Sequence, residues 1–182
     1  MIILSVGLSQ RKGTDVLIKA LPLVLKEAPE ARLVIVGSGP RPAGVFIDLA
    51  KSLGVLEKIE FLHNISNEQL TKLYQQCAVF ALTSRYTDNV FEGYGLVFFE
   101  AGLYKKPVVG SRSGGIPEAV IDGQTGLLVP ENNPQATAQA IIKILKDKEL
   151  AQRLGENNYR LAKERNWDNY IKEVIKIYEQ FS

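Results

Sequence analysis

Two carboxylates, Glu92 and Glu100, lie eight residues apart around a glycine-rich segment. Gly93 and Gly95 bracket a single aromatic residue, Tyr94, and this pattern predicts a tight turn with positive φ at the glycines. The apolar run after the turn predicts a buried helix. The first amides of a helix have no internal acceptor and lie at the positive end of its dipole. The turn is therefore a predicted binding site for an anion such as a diphosphate.

The predicted helix spans residues 96–104, so its free donors are the amides of residues 95–97. Glu100 lies little more than one turn into this helix, where its carboxylate can accept hydrogen bonds from the neighbouring hydroxyls of a ribose. Glu92 lies before the helix, at the mouth of the predicted site. The apolar residues around Glu100 predict a helix buried on most sides, and an unpaired buried carboxylate is costly, which favours a ligand contact. The alternatives are a helix-capping role for Glu92 and a surface position for Glu100.

A pair of carboxylates is also what a glycosidase uses, one as the acid and the other as the base or nucleophile. Those two groups face each other across the bond that is cleaved, whereas Glu100 is expected to lie down the helix from the anion site. The surrounding glycine-rich loops are typical of anion binding. We therefore favour nucleotide binding over glycoside hydrolysis.

Other residues near these loops could contribute charge or hydrogen bonds. Lys12 is a compact ammonium that suits a diphosphate, and its alternative is a solvated lysine at the start of a helix. His63 is the only histidine, so a histidine-based metal cluster is excluded. Its ring either lines a nucleotide-base pocket or belongs to a loop at a strand end. Gly114 and Gly115 either form the floor of a pocket or simply pack closely.

Strands alternate with helices along the chain, which predicts an α/β fold: a Rossmann-like open parallel sheet of about six strands with helices on both faces. The predicted strands are 2–6, 33–36, 59–62, 79–82, 107–110 and 127–129. The predicted helices begin near residues 14, 45, 67 and 96, and three more close the chain. Thr14 is expected to cap the first helix, and Pro22 to kink it.

In open parallel sheets, ligands bind outside the carboxyl ends of the strands, where the strand order reverses. Residues 7–13 follow the first predicted strand, 37–40 the second, His63 the third, 84–95 the fourth and 111–115 the fifth. Since the carboxyl ends of parallel strands meet at one edge of the sheet, the site is predicted from several loops rather than from one motif.

The composition predicts one soluble domain, because 182 residues, of which 46% are hydrophobic and 23% charged, can bury a single core. With a net charge of +2, the chain lacks the excess of basic residues that is typical of nucleic-acid-binding proteins. The single cysteine, Cys77, is expected to be buried and unreactive in a reducing compartment. No apolar run is long enough for a transmembrane helix and the start lacks a signal-peptide layout, so a cytoplasmic location is predicted.

Further motifs repeat the pattern of one known family. Besides residues 92–100, the matching segments are 7–13, 36–40, 106–109, 114–118 and 122–129. In order and spacing they resemble the retaining glycosyltransferases of the group 4 type, which have the two-domain GT-B architecture. The resemblance covers nearly the whole chain and matches the C-terminal, donor-binding half of such an enzyme. It implies that residues 1–182 are a nucleotide-sugar binding domain and that the N-terminal acceptor domain is absent from this chain.

The resemblance also implies roles for individual residues. Glu92 resembles the residue that contacts the transferred sugar, and Glu100 the residue that binds the ribose. Lys12 resembles the lysine that neutralises the leaving diphosphate, so Glu92 and Lys12 are the predicted catalytic residues. The family usually has an arginine where this chain has Leu8, and Arg11 is expected to substitute for it. The predicted donor-binding residues are Gly7, Arg11, Lys12, Gly37, His63, Glu92, Gly93, Tyr94, Gly95, Leu96, Val97 and Glu100.

The implied reaction transfers a hexosyl group from a nucleotide sugar to an acceptor in polysaccharide or glycolipid biosynthesis, with retention and without a metal ion or cofactor. The extended loop 85–91 is similar to that of some mannosyltransferases and favours GDP-mannose as donor. UDP-glucose, UDP-N-acetylglucosamine and UDP-galactose remain open. The acceptor domain would act in cis or in trans, and peripheral association with the cytoplasmic face of a membrane would run through that domain.

Alone, the chain is expected to bind donor but to turn over slowly or not at all. One alternative is a non-catalytic nucleotide-binding or partner-binding subunit of a split transferase. Another is a different GT-B enzyme, such as a sugar-nucleotide epimerase. The last predicted helix carries an apolar stripe from Trp167 to Tyr178, which is expected to be partly exposed or buried by self-association.

Overall fold

The computed structural model describes residues 1–37, 44–87, 90–165 and 167–180. Within them, one sheet contains the six strands β1 Ile2–Val6, β2 Arg32–Gly37, β3 Ile59–His63, β4 Val79–Leu82, β5 Val108–Ser111 and β6 Gly126–Val129. The helices are α1 Thr14–Glu27, α2 Gly44–Ser52, α3 Asn67–Gln76, α4 Leu96–Leu103, α5 Ile116–Ala119, α6 Pro134–Lys146, α7 Lys148–Glu164 and α8 Trp167–Glu179. The predicted loop residues that lie outside the described residues are Ser38, Gly39, Pro40, Asp88 and Asn89.

All neighbouring strands are parallel, and their order is β3-β2-β1-β4-β5-β6. The chain builds outward from β1 to β3 on one side and from β4 to β6 on the other. The strand order therefore reverses between β1 and β4, and the crevice at their carboxyl ends is the expected place for a ligand. The predicted parallel α/β sheet is confirmed.

Both faces of the sheet are covered, which explains why its strands are almost wholly apolar. Adjacent residues of β1 show the division. Ile3 belongs to the core cluster that includes Leu17 of α1, whereas Leu4 belongs to the cluster on the other face with Tyr74 of α3 and Phe98 of α4. The site-bearing helix α4 therefore rests on a close-packed layer.

The start of α1 differs from the prediction, because the cap position is Gly13 rather than Thr14. Gly13 has a φ of 73°, no side chain caps the helix, and Thr14 is its first residue. A Cβ on Gly13 would lie 2.0 Å from the Thr83 carbonyl oxygen, so glycine is required where α1 presses against the end of β4. Thr14 instead accepts a hydrogen bond from the Ser9 amide at 3.1 Å. Pro22 lies inside the helix, which continues past it, and the kink stays a prediction.

The last helix carries apolar residues at its surface. Ile171, Ile175 and Tyr178 of α8 are exposed, as expected for the predicted stripe, while the side chains of Trp167 and Tyr170 lie outside the described residues. Among the helices that the structure describes, none combines the length and the apolar composition needed to cross a membrane.

Candidate functional site

The candidate site lies at the carboxyl ends of β1 and β4, where two loops face each other. The loop after β1 spans residues 7–13, and the segment after β4 begins at Thr83. The Thr83 hydroxyl donates a hydrogen bond to the Gly13 carbonyl oxygen at 3.1 Å. The Arg85 amide donates to the Arg11 carbonyl oxygen at 2.9 Å. The two loops are therefore joined at the point where the strand order reverses.

Lys12 and Glu92 meet across this crevice. The Lys12 ammonium donates to Glu92 Oε2 at 2.5 Å, and the Arg11 guanidinium lies 3.6 Å from the same oxygen. The Ser84 hydroxyl also donates to it, at 3.2 Å. The exposed fractions of the side chains are 12% for Glu92, 20% for Lys12 and 32% for Arg11, so attraction between these charges is screened less than at an open surface. The structure thus brings together the residues predicted to be catalytic.

Glycine at position 7 makes room for the lysine. Gly7 has a φ of 119°, and a Cβ there would lie 2.9 Å from Lys12 Cγ, so the lysine stem folds over a backbone that only glycine adopts readily. Leu8 takes a different course, because it packs onto Gly37, where a Cβ would lie 2.8 Å from the Leu8 Cβ. The position at which the family usually has an arginine is therefore filled by an apolar contact, and Arg11 is the second cation beside Glu92.

The start of α4 offers unpaired backbone donors. Its N-cap residue Gly95 has a φ of 70°, and no side chain caps the helix. In the part of the chain that the structure describes, no group accepts a hydrogen bond from the amides of Gly95, Leu96 or Val97, whereas the Phe98 amide binds the Gly95 carbonyl oxygen at 2.9 Å. A Cβ on Gly95 would lie 3.9 Å from Glu92 Cγ, so these amides begin beside the charged cluster. They can receive an anion at the positive end of the helix.

The other glycine of the turn has a different task. Gly93 does not have a positive φ, so the predicted positive φ is correct for Gly95 and wrong for Gly93. A Cβ on Gly115 would lie 1.7 Å from the Gly93 carbonyl oxygen, and the Gly115 amide donates to the Glu92 carbonyl oxygen at 3.0 Å. Gly114 and Gly115 therefore pack against the backbone that carries Glu92, and the close approach requires glycine at these two positions, whereas a Cβ on Gly93 would meet nothing within 4 Å.

Glu100 lies in a different environment. The residue is exposed, and its Oε2 accepts a hydrogen bond from the Tyr74 hydroxyl at 2.8 Å. Leu96 and Leu103 are 59% and 50% exposed, so the prediction of a helix buried on most sides is wrong. The reason is that α4 packs on the sheet and on α7 along one side only. The buried residues of α4 are Phe98, Phe99, Ala101 and Gly102.

His63 and Gly37 face each other in register at the ends of β3 and β2. Both ring nitrogens of His63 are buried, and neither has a hydrogen-bond partner among the described residues. The strand order places His63 two strands from β1, and whether it lines a base pocket stays a prediction. Tyr94, inside the turn, packs its ring against Phe99 with 5.2 Å between the ring centroids.

Three side chains that help to organise the site were missed from the sequence. Ser84 could have been found, because it is a hydroxyl directly beyond a strand at the predicted ligand edge. Arg85 donates to the Gln10 carbonyl oxygen at 2.7 Å and pairs with Asp15, which fastens the β4 segment to α1. Tyr74 lies within a helix at apolar spacing, and no local pattern connects it to Glu100.

Two expectations concern metal and thiol chemistry. Within the described residues, no group of three or more His, Cys, Asp or Glu side chains is arranged to hold a metal ion. Cys77 is buried, and burial raises the pKa of its thiol to about 11. The thiolate is therefore scarce at neutral pH, in agreement with the prediction of an unreactive cysteine.

Comparison with known proteins assigns the chain to a family. The family model for group 1 glycosyl transferases matches residues 1–161. The chain belongs to this family. Among solved structures, a sucrose-phosphate synthase from Thermosynechococcus elongatus is 31% identical with a TM-score of 0.84, and the match covers 99% of this chain and 45% of that one. The expected glycosyltransferase resemblance and GT-B relationship are confirmed.

Two further similar proteins are linked to a nucleotide sugar, one by its name and the other by the ligand in its solved structure. A GDP-mannose-dependent alpha-(1-6)-phosphatidylinositol monomannoside mannosyltransferase of Mycolicibacterium smegmatis is 38% identical over 147 residues, which cover 80% of this chain and 38% of that protein. Anabaena HepE, solved in complex with UDP-glucose, is 25% identical with a TM-score of 0.83, and the match covers 100% of this chain and 49% of that one. The chain thus spans less than half the length of each relative.

Proposed function

We propose that this chain is the donor-binding domain of a hexosyltransferase that transfers a sugar from a nucleoside diphosphate with retention and without a metal ion. The observation that carries the proposal is the cluster between β1 and β4, where Lys12 and Arg11 face Glu92 beside the open amides of α4. Family membership supports the reaction class.

The diphosphate is proposed to rest on the amides of residues 95–97. One carboxylate and two cations leave the crevice with a net charge of +1 from Glu92, Lys12 and Arg11. Positive charge and preorganised donors stabilise the negative charge that develops on a departing diphosphate, and such stabilisation usually contributes most to catalysis of this kind. A leaving group held by lysine, arginine and amides does not require a divalent cation, which is the basis for proposing metal-independent transfer.

The two carboxylates are proposed to bind the carbohydrate parts of the donor. Glu100 Oε1 has no protein partner among the described residues, so it can accept a hydrogen bond from a ribose hydroxyl while Oε2 accepts from Tyr74. Glu92 Oε1 is likewise without a protein partner in the described residues, whereas Oε2 accepts hydrogen bonds from Lys12 and Ser84 and is ion-paired with Arg11. We therefore assign the transferred hexose to the Glu92 end and the ribose to the Glu100 end.

GDP-mannose is the donor that we propose first, with a UDP-hexose as the second choice. The mannosyltransferase relative uses GDP-mannose by name and shares 38% identity. UDP-glucose bound to HepE supports the alternative at a lower identity of 25%. The side chains that would select the base include His63 at the end of β3, where buried ring nitrogens lack partners among the described residues.

The acceptor site is proposed to lie on a second domain. This chain covers 38% of the mannosyltransferase and 45% of the sucrose-phosphate synthase, so most of each relative has no counterpart here. We expect the 182 residues to bind donor and to transfer slowly or not at all until the acceptor-binding part is supplied in cis or in trans.

Calorimetry with GDP, UDP and ADP, and with their common sugars, tests the proposal directly. We expect one base to be clearly preferred, and binding that persists in EDTA. A matched variant, Lys12→Ala, should lose most of this affinity. Absence of binding to every nucleotide would overturn the proposal, and an anomeric configuration inverted in the product of the complemented enzyme would overturn retention.

One observation favours a second candidate, a nucleotide-binding subunit without catalytic activity. At the position where the family usually carries an arginine, this chain has Leu8, which packs on Gly37. The second cation of the expected pair is therefore Arg11 rather than a residue at position 8. A chain that binds the nucleotide tightly but gives no transfer when an acceptor domain is added would identify this alternative. Transfer under the same conditions would exclude it.

A further inference from the structure

Tyr74 of α3 contacts Glu100 of α4 across a gap of 26 residues in the chain. Its hydroxyl donates a hydrogen bond of 2.8 Å to Glu100 Oε2. No other side chain among the described residues is bonded to Glu100. Because Glu100 itself is exposed, this one bond decides which orientation its flexible side chain prefers.

The group that makes this bond is rigidly held. Tyr74 is 2% exposed, and its ring is stacked on Tyr104 with an interplanar angle of 4° and 5.8 Å between centroids. It also packs against Phe80 at 5.9 Å. A buried ring in close-packed surroundings has one accessible position. The Tyr74 hydroxyl is therefore a fixed point at the surface of the core.

The hydroxyl also keeps its proton. Burial, followed by the negative charge of Glu100, raises the pKa of Tyr74 above its ordinary value, so the group remains a hydrogen-bond donor at neutral and mildly alkaline pH. A neutral donor leaves the Glu100 charge in place. It engages Oε2 alone, and Oε1 keeps its full capacity to accept from a ligand.

We propose that Tyr74 is a positioning residue for donor recognition: its hydroxyl holds Glu100 in the orientation that accepts the ribose hydroxyls. The inference rests on the proposed function, since it assumes that Glu100 faces a nucleotide. A free glutamate samples several rotamers and loses that freedom on binding, whereas one that is already oriented loses less. Tyr74 therefore raises affinity without touching the ligand.

If the Tyr74 hydroxyl had a purely structural role, a different result would be expected. Comparing ligands with and without ribose hydroxyls distinguishes a structural role from a positioning role. If Tyr74 acts only on folding or packing, its removal alters binding of every nucleotide equally. If it acts through Glu100, its removal affects only ligands that have ribose hydroxyls. The informative pair is the preferred nucleoside diphosphate and its 2′,3′-dideoxy form.

The experiment is calorimetry on wild type, Tyr74→Phe and Tyr104→Phe with both nucleotides. Tyr104→Phe is the matched control, because it removes the hydroxyl of the other ring in the stacked pair. That hydroxyl contacts Thr71 and not Glu100. For Tyr74→Phe we expect affinity for the ribonucleotide to fall about five- to tenfold, with affinity for the dideoxynucleotide unchanged. Tyr104→Phe should leave both affinities unchanged.

Glu100→Ala is a second test of the same role. Because Glu100 is exposed, this substitution should not impair folding. It should abolish the preference for the ribonucleotide, and Tyr74→Phe should then add nothing in the double variant. Three outcomes would overturn the role of Tyr74 and leave the proposed function standing. They are equal losses of affinity for both nucleotides, an unchanged preference for the ribonucleotide in Tyr74→Phe, and additive effects in the double variant. If wild type binds no nucleoside diphosphate, the proposed function fails first, and the inference fails with it.

Discussion

Glu92 and Glu100 are the same residue type eight positions apart, and the fold gives them contrasting partners. Glu92 is 12% exposed and lies against Lys12 and Arg11. Glu100 is exposed and receives one neutral donor, the Tyr74 hydroxyl. The first carboxylate is therefore neutralised within the protein, and the second keeps its charge and its capacity to accept. One motif can therefore pair with cations at one end and accept hydrogen bonds from hydroxyl groups at the other.

Removal of the lysine should have the largest effect on this contrast. We expect Lys12→Ala to weaken nucleoside diphosphate binding about 10- to 100-fold, because a charge-assisted contact is lost and Glu92 is left with less compensation. Isothermal titration calorimetry measures this. Lys105→Ala is the control, since Lys105 pairs with Glu156 of α7 away from the crevice. A loss below about twofold for Lys12→Ala would contradict the assignment of the diphosphate.

The turn between the two carboxylates offers a matched pair of glycines. Gly95→Ala should lower the free energy of unfolding by about 1–3 kcal/mol, because φ is 70° and the Cβ would lie 2.8 Å from Phe98. Gly93→Ala meets nothing within 4 Å and should be nearly neutral. Urea unfolding of both variants measures the difference. Equal destabilisation would show that the left-handed start of α4 is not what holds the segment.

Inorganic diphosphate separates the roles of the two carboxylates. Glu92→Gln should bind it about two- to fivefold more tightly, because Lys12 and Arg11 lose a competing negative charge. Glu100→Gln should leave the affinity for inorganic diphosphate unchanged and should lower only the affinity for the nucleoside diphosphate. The same change in both variants, for either ligand, would mean that the two environments do not differ in function.

Outside the crevice, the Cys77 thiol donates a hydrogen bond to the carbonyl oxygen of Tyr74, the residue that contacts Glu100. Burial raises the pKa of Cys77 from 9.0 to about 11, so the folded state holds the proton where the unfolded chain releases it. The associated stability is complete below about pH 9 and is lost as the pH rises towards 11. Cys77→Ala should flatten the fall in the free energy of unfolding over this range by about 1–2 kcal/mol. Denaturation at about pH 8, 9.5 and 10.5 checks the slope, and an unchanged slope would disprove the attribution.

Local patterns were a good guide to the elements. Continuous apolar runs such as 79–82 indicated strands buried on both faces, and the structure has β4 over the same residues. The glycine before α4 was recognised because a left-handed residue at a helix start leaves few alternatives to glycine. The cap of α1 was misassigned, since the requirement for Gly13 comes from Thr83, which lies 70 residues away.

The chain alone determined that strands and helices alternate, that glycines open a helix beside two glutamates, and that polar groups follow the strands. These features depend on backbone preferences and on the period of apolar residues, which are properties of short segments. Tertiary structure decided that β1 lies next to β4 and that Lys12 meets Glu92 across 80 residues. It also decided that Tyr74 reaches Glu100. Such pairings depend on how helices pack across a sheet, and no short stretch of sequence contains that information.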